Sequence, residues 1–405
     1  MNYYLRQPPS RKKWPWWRMF AGLLLLATLS SGAYLWLARS ATQPEEAGTA
    51  PGSPSPSVRY PAIGVLAPLS GPMKREGESF RQGTELAWKE LQDQGLQGEM
   101  LVRDSGKGEE DALLLVQQIL SDPRVAVLMV HMPMTVLSRV LPECRKKRVL
   151  LVAPASSHEE LARSPWGVPF IASDRSEGFQ ASGIAKELAK GGKIALLHEP
   201  GPYGDLLLKG FQEGATEHST SYEAIPCRAD AAALAATLSE KLPPETPLVF
   251  LAGSPLWGVT VAEALSELNF KGSLLLPQTY GKMTLEDLAD LFPDRLFAMR
   301  PLPSPAAGHA AMDRLQKAFV RAYWKKPDDL AILAYDAMNW VGGALKTGAA
   351  SREELRERLR SGTRADAPYT GAGGEVFFDA AGVLQRRMQL TLYRNGSFEP
   401  APASP

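Results

Sequence analysis

The chain has 405 residues, of which 44% are hydrophobic and 22% charged, and its formal net charge is +1. This length exceeds what one compact core accommodates and predicts two lobes with an extension, and the balanced charge excludes the basic field that attracts nucleic acid. The two cysteines, Cys144 and Cys227, are too few for a disulfide scaffold and form no CxxC pair. They predict neither a zinc site nor thiol redox chemistry and are expected to pack as small hydrophobic residues.

The N-terminal region has the pattern of a membrane anchor. A basic tail over residues 1–18 precedes an uncharged apolar run over residues 19–38, which as a helix reaches ~30 Å and spans a bilayer. The charge asymmetry predicts a single-pass inner-membrane protein with its globular part on the periplasmic side. The alternative is a signal peptide cleaved near Ser31-Gly32-Ala33. The apolar residues 34–38 beyond that point favour the uncleaved anchor, and a Pro/Gly/Ser-rich linker follows over residues 39–59.

From residue 60 onwards, short apolar strands alternate with amphipathic helices. Strands are predicted at 63–67, 100–102, 125–130 and 149–152, and again at 194–197, 248–251, 274–276 and 296–299. Continuous apolar strands separated by helices predict an α/β fold of two doubly wound parallel-sheet lobes, each covered by helices on both faces. After a proline-rich break at 301–305, helices are predicted near 310–323, 330–346 and 352–360. Strands at 375–379 and 388–393, with a turn at 380–382, then predict a terminal hairpin.

The sequence lacks the arrangements that support catalysis. It contains no GxSxG elbow, no P-loop and no HExxH, and its five histidines have no metal-ligand spacing. The glycine-rich stretch at 370–374 precedes a strand rather than a helix, so it does not predict a phosphate site. We therefore predict no catalytic residue, no metal and no cofactor, and we do not expect an enzyme.

Four loops that follow predicted strands carry a recognisable pattern: 69–72, 154–157, 198–204 and 277–278. Together with the element order, these loops resemble those of the branched-chain amino acid and amide binding proteins of ABC transporters. The resemblance implies a type I periplasmic binding protein fold, in which two lobes joined by a hinge close on a ligand. It assigns residues 60–172 and 303–373 to lobe 1 and residues 173–302 and 374–398 to lobe 2, followed by a disordered tail at 399–405.

The same resemblance implies a set of ligand-binding residues. Small hydroxyl residues and backbone N–H groups hold the ligand carboxylate in the family, and an acid after a strand of lobe 2 holds the ammonium. The matching residues are Ser70, Thr135, Ala155, Ser157, Tyr203 and Gln278. Because Gln278 is neutral, an ammonium group would lack a charged partner, and this disfavours a zwitterionic amino acid. The amide of Gln278 instead suits a neutral amide or hydroxyl.

Ordinary structural roles explain several of these residues equally well. Ser157 with Glu160 has the spacing of a capping box, and Thr135 suits a helix N-cap. Ser70 lies in a Ser-Gly-Pro turn, and Tyr203 and Gln278 have alternatives as a packed residue and a solvated loop residue. These readings stay open on sequence grounds.

Two functions are consistent with the pattern. The first is a membrane-tethered solute-binding protein, the substrate-binding component of an ABC transporter for amino acids or related small polar or amide compounds, with a permease as its partner. The alternative is an envelope scaffold or regulator that has kept the fold, lost the ligand and binds a protein partner. The hydroxyl-poor loop at 132–135 favours this alternative, and the two differ in whether Met132 and Met134 fill the cleft.

Overall fold

The computed structural model describes residues 62–228, 230–303, 309–349 and 351–401. Within these ranges, no helix combines the length and apolar character needed to cross a membrane. The predicted tail, anchor and linker over residues 1–59 lie outside the described residues.

Lobe 1 is built on a parallel sheet of β1 (Ala62–Ala67), β2 (Glu99–Asp104), β3 (Val125–Val130), β4 (Leu150–Ala153) and β5 (Gly167–Pro169), in the order β2-β1-β3-β4-β5. The intervening helices are α1 (Lys74–Asp93), α2 (Glu109–Ser121), α3 (Met134–Lys147) and α4 (Glu159–Arg163). Alternate residues of β1 enter separate hydrophobic clusters on the two faces, with Ile63 and Val65 on one and Leu66 on the other. Burial on both faces explains why these strands read as continuous apolar runs.

Lobe 2 repeats this arrangement with β6 (Ile194–His198), β7 (Tyr222–Pro226), β8 (Leu248–Ala252), β9 (Ser273–Leu276) and β10 (Leu296–Arg300). Its helices are α5 (Asp174–Leu188), α6 (Pro202–His218), α7 (Ala231–Lys241), α8 (Pro255–Glu267) and α9 (Lys282–Leu291). The sheet is extended by β14 (Gln389–Arg394), which pairs antiparallel with β10, and by β15 (Ser397–Pro400), which pairs antiparallel with β14, giving the order β15-β14-β10-β9-β8-β6-β7. Cys144 and Cys227 are both free and buried.

Between β10 and β14 the chain returns to lobe 1. It forms α10 (Ala310–Tyr323), α11 (Asp329–Lys346), α12 (Arg352–Ser361) and a small antiparallel sheet of β11 (Tyr369–Gly371), β12 (Gly374–Phe378) and β13 (Leu384–Arg386). The helix α11 packs along α1, and Val376, Phe378 and Leu384 complete the same cluster as Ile63.

The C-terminal region differs from the sequence expectation in three respects. Residues 374–386 pack in lobe 1 rather than lobe 2, because the apolar side chains of β12 and β13 are buried against α11 and α12. The predicted hairpin between 375–379 and 388–393 is wrong, since β12 pairs with β13 while β14 pairs with β10. Residues 399–400 belong to β15 instead of a disordered tail, since Tyr393 and Phe398 stack across β14 and β15.

A buried arginine links the segments that cross between the lobes. Arg386 lies on the last crossing and is almost fully buried. Its Nε donates to the carbonyl of Phe170 on the first crossing at 2.7 Å, and its Nη1 donates to the carbonyl of Pro301 on the second at 3.2 Å. Burial lowers the pKa of Arg386, and the negative charge of Asp336 acts in the opposite direction. One guanidinium thus fixes three crossings relative to one another.

Asp336 on α11 supplies the matching negative charge. Its carboxylate accepts the N–H groups of Ala372 at 2.8 Å and Gly373 at 2.7 Å. A Cβ at Gly371 would lie 2.4 Å from that carboxyl group, so this position requires glycine. The glycine-rich stretch therefore holds an anion, but the anion is a side chain of the protein itself.

We expect Arg386→Ala to lower the free energy of unfolding by about 3–5 kcal/mol, because it leaves the Asp336 carboxylate buried without its cation. Urea unfolding of residues 56–405, the compact unit of the chain, measures this change. The matched control is Arg364→Ala, which removes an exposed ion pair with Asp366 and should change stability little. Equal unfolding midpoints for the two variants would contradict the linking role of Arg386.

Candidate functional site

The site is centred on the first turn of α5, where the chain enters lobe 2. The Ser173 hydroxyl caps this helix by accepting the N–H of Ser176 at 3.3 Å. Asp174 and Glu177 follow one turn apart and therefore share a face of the helix. That face also carries the buried residues Gly178 and Ala181, so both carboxyl groups are buried, Asp174 with 8% and Glu177 with 0% exposure.

Gln278, in the loop after β9, is bound to Glu177. Its backbone N–H donates to Glu177 Oε1 at 2.5 Å, and its side-chain Nε2 donates to Glu177 Oε2 at 3.0 Å and to the carbonyl of Ala172 at 3.1 Å. The amide oxygen of Gln278 is buried and has no hydrogen-bond partner among the described residues. Gln278 thus joins β9 to the first crossing and leaves one acceptor unused.

Ser157, in the loop after β4, contacts Asp174 from lobe 1. The hydroxyl of Ser157 hydrogen-bonds the Asp174 carboxyl group, and the carbonyl of Ser157 accepts the N–H of Asp174 at 3.3 Å. The Oδ1 atom of Asp174 is buried and lacks a partner within the described chain. Such an atom costs free energy unless another group binds it.

Tyr203, in the first turn of α6, lies close to both acids. Its hydroxyl is 2.9 Å from Thr279 Oγ1. Burial raises the pKa of Tyr203, and the negative charges of Glu177 and Asp174 raise it further. The phenol therefore stays neutral and can both donate and accept a hydrogen bond.

The two acids are held without a cation. Burial raises the pKa of Asp174 to about 6 and the pKa of Glu177 to about 8. No basic side chain in the described part of the chain opposes either shift of the pKa; only hydrogen bonds from Ser157 and from Gln278 do so. A positively charged group placed against them would restore both acids to their ionised form.

Ser157, Tyr203 and Gln278 therefore meet around the two acids, and two of the other predicted residues have partners elsewhere. Ser70 bonds Asp104 at the end of β2, with an N–H distance of 3.2 Å to Oδ1. Thr135 donates to Glu109 Oε1 at 2.6 Å. Ala155 is exposed in the loop after β4, and its N–H has no acceptor in the part of the chain that the structure describes.

The two capping explanations are wrong. The helix α4 begins at Glu159 with His158 as its N-cap, and no side chain caps it, because the Ser157 hydroxyl is turned to Asp174. The N-cap of α3 is Pro133, which places Thr135 inside the first turn. Neither hydroxyl has the capping role that its sequence context suggested.

A cavity of about 730 Å³ lies on the opposite face of α5, lined by residues that include Ser176, Phe179 and Gln180. None of the predicted ligand-binding residues lines it. Two of its arginines already form ion pairs, Arg163 with Glu159 and Arg175 with Glu213. The unpartnered atoms of Asp174 and Gln278 lie among the predicted ligand residues, whereas those of the cavity lining, Glu159 Oε2 and Arg386 Nη2, belong to side chains already bonded to Arg163 and to backbone carbonyls. In the described ranges no three His, Cys, Asp or Glu side chains are grouped to hold a metal ion.

The profile of the "Periplasmic binding protein" family matches residues 62–397, which is most of the chain. The chain belongs to this family. The resemblance inferred from the loops after the strands is thereby confirmed. No curated protein matches the chain.

Solved structures share the architecture of this periplasmic binding protein. A substrate-binding protein from Desulfitobacterium hafniense in complex with Leu is 18% identical, with a TM-score of 0.69 over 85% of this chain and 100% of that one. A leucine-binding protein from Thermotoga maritima is 18% identical, with a TM-score of 0.66 over 85% of this chain and 98% of that one. A solute-binding protein from R. palustris in complex with benzoate is 18% identical, with a TM-score of 0.59 over 84% of this chain and 95% of that one. These likenesses show the type I periplasmic binding protein fold with its parallel sheets.

Asp174 and Glu177 are the site residues that the sequence reasoning missed. The neutral Gln278 suggested that the site lacks an acid, whereas Glu177 sits directly against it. A usable signal was present: the two acids share a helical face with Ala181 and Ala185, and a face of small apolar residues after a buried strand is itself buried.

We predict that Glu177→Gln changes how the stability of residues 56–405 depends on pH. The pKa of Glu177 is raised from its ordinary 4.5 to about 8, so the folded state binds this proton more tightly, and stability falls as pH rises from about 4.5 to about 8. The free energy of unfolding of wild type minus that of Glu177→Gln should decrease over this window in urea unfolding experiments.

The control for this measurement is Asp366→Asn. The hydrogen bond from Arg364 lowers the pKa of Asp366, so its difference from wild type should stay constant above pH 5. A difference for Glu177→Gln that is also constant from pH 5 to 8 would contradict the raised pKa.

Proposed function

We propose that this protein is the substrate-binding component of an ABC transporter and that its ligand carries a protonated amine, as amino acids and related amides do. The observation that carries the proposal is the buried Asp174–Glu177 pair with an unpartnered Asp174 Oδ1. Family membership supports the binding role, and the choice of an amine rests on the chemistry of the site.

The amine follows from the charge balance of the site. Burying carboxyl groups away from water is costly unless they are paired, and these two meet no basic side chain among the residues that the structure describes. A ligand ammonium group donates three hydrogen bonds, which suits Asp174 Oδ1, the amide oxygen of Gln278 and the hydroxyl of Tyr203. Glu177 supplies the negative charge that position 278 lacks, so a zwitterionic ligand is no longer disfavoured.

The carboxylate end of such a ligand has a partner in the loop after β4. The N–H of Ala155 has no acceptor among the described residues, and Ala155 lies two residues before Ser157 in the same loop. Backbone N–H groups and small hydroxyls suit a carboxylate because they approach it closely without adding bulk. We therefore keep Ala155 and Ser157, with Tyr203 and Gln278, as proposed ligand residues, and assign Ser70 and Thr135 structural contacts.

The placement of the two methionines favours the receptor over the scaffold alternative. Met132 is half-buried and packs against the lobe 1 cluster that includes Leu66, and Met134 is 41% exposed at the start of α3. Neither side chain contacts the acids through any described interaction. A site that had lost its ligand would be expected to give the buried Asp174 Oδ1 a hydrogen-bond partner from the chain itself, and the described residues supply none.

We further propose that residues 19–38 anchor the protein in the inner membrane and that the linker at 39–59 holds the lobes on the periplasmic side. The support is the sequence pattern of charge, apolar length and linker composition. Such a tether raises the effective concentration of the binding protein at a permease in the same membrane.

We expect L-leucine, at a concentration a hundredfold above its Kd, to raise the melting temperature of residues 56–405 by several degrees. We expect 4-methylpentanoate, which lacks the amine, to bind at least about tenfold more weakly than leucine. The reason is that a charge-assisted hydrogen bond contributes about 1.5–3 kcal/mol. Thermal shift and titration calorimetry, extended to leucinamide and other amino acids, measure these affinities.

Two matched variants show whether a change in ligand preference comes from the lost charge of Asp174 or from damage to the fold. Asp174→Asn should remove the preference for the amine, and Asp366→Asn, on an exposed turn, should keep it. Equal binding of leucine and 4-methylpentanoate would contradict the role of the acids. The absence of a shift with every amine-bearing ligand would favour the scaffold.

A further inference from the structure

The outer face of α10 and the turn after it carry a dense group of basic side chains beside a tryptophan. Met312, Leu315 and Phe319 bury the opposite face of the helix. We define the α10 basic patch as these exposed residues: Arg314, Lys317, Val320, Arg321, Trp324, Lys325 and Lys326.

Trp324 is the unusual member of the patch. Its side chain is 91% exposed, whereas every other tryptophan that the structure describes is buried. It caps α10 in the left-handed conformation with φ of +58°, and its N–H donates to the carbonyl of Val320 at 2.9 Å. Glycine or asparagine is the usual residue at such a position, and a bulky side chain there is uncommon. Neither packing nor backbone preference explains a tryptophan at this position.

The five cations are not neutralised by neighbouring acids. None of them forms an ion pair within the described residues. Of the acids around the patch, Asp328 caps α11 by accepting the N–H of Ala331, and Asp329 pairs with Arg300. Asp313 is the one acid on the same exposed face of α10. The patch therefore keeps a strong net positive charge.

We infer that the α10 basic patch binds an anionic lipid surface. Lysine and arginine are attracted to acidic headgroups, and tryptophan prefers the interface between headgroups and acyl chains. An exposed tryptophan among unpaired cations combines the attraction to acidic headgroups with the preference for the interface. The inference goes beyond solute binding, and the anchor proposed at residues 19–38 would give it a physical setting by bringing the protein to a membrane.

The test uses residues 56–405, which lack the proposed anchor, with phosphatidylcholine vesicles that contain or lack phosphatidylglycerol. We expect co-sedimentation only with phosphatidylglycerol, release by high salt, and a blue shift of tryptophan emission. Lys325→Ala with Lys326→Ala should weaken binding roughly 25-fold, since each lysine contributes about fivefold. Trp324→Ala should weaken binding and abolish the shift.

The control removes two cations elsewhere. Lys146 and Lys147 are exposed in the basic last turn of α3, and no exposed tryptophan accompanies them. Their double alanine variant should bind vesicles like wild type. Equal weakening by both double variants, unchanged emission, equal binding to neutral vesicles, or no binding would each overturn the inference. Leucine binding by Trp324→Ala, measured in parallel, shows that the variant is folded and keeps the two proposals separable.

Discussion

The structure depends on one buried guanidinium. Arg386 bonds the carbonyls of Phe170 and Pro301 and itself lies on the third segment between the lobes. Burying such a charge is unfavourable unless it is paired and hydrogen-bonded. Here Nε and Nη1 are bonded and Asp336 on α11 supplies the opposite charge, whereas Nη2 is buried without a partner among the described residues. The lobes are therefore joined by a specific, geometrically demanding contact. A hydrophobic contact of the same size would hold the crossings together but would fix their relative positions less strictly.

The candidate site follows from this arrangement. Since the first crossing is fixed at Phe170, the chain enters α5 at a defined place, and Asp174 and Glu177 are carried between the loops after β4 and β9. Ser157 then approaches from one lobe and Gln278 from the other. The acids belong to the segment that joins the lobes, so the group that neutralises them would contact both sides of the hinge. A charged ligand bound there, as we propose, would therefore be coupled to the relative position of the lobes.

Local pattern predicted much of the fold and only part of the site. Strands such as β1 and β8 are fully buried, and their apolar runs identified them, because burial on both faces leaves no room for polar residues. The partner of β12 was missed because strand pairing is decided by tertiary packing: Val376, Phe378 and Leu384 pack together in a cluster with residues distant in sequence, such as Ile63. Glu177 was missed for a similar reason, since its contact with Gln278 joins residues on different elements.

Proton release on ligand binding tests the central claim most directly. The raised pKa values of Asp174 and Glu177 mean that the free protein holds a proton at this site near pH 7. A ligand ammonium group would lower both pKa values and displace that proton. Calorimetric titration of an amine-bearing ligand in buffers of different ionisation enthalpy measures the number released. The account predicts release by wild type and much less by Glu177→Gln; binding by wild type with no proton exchange would contradict it.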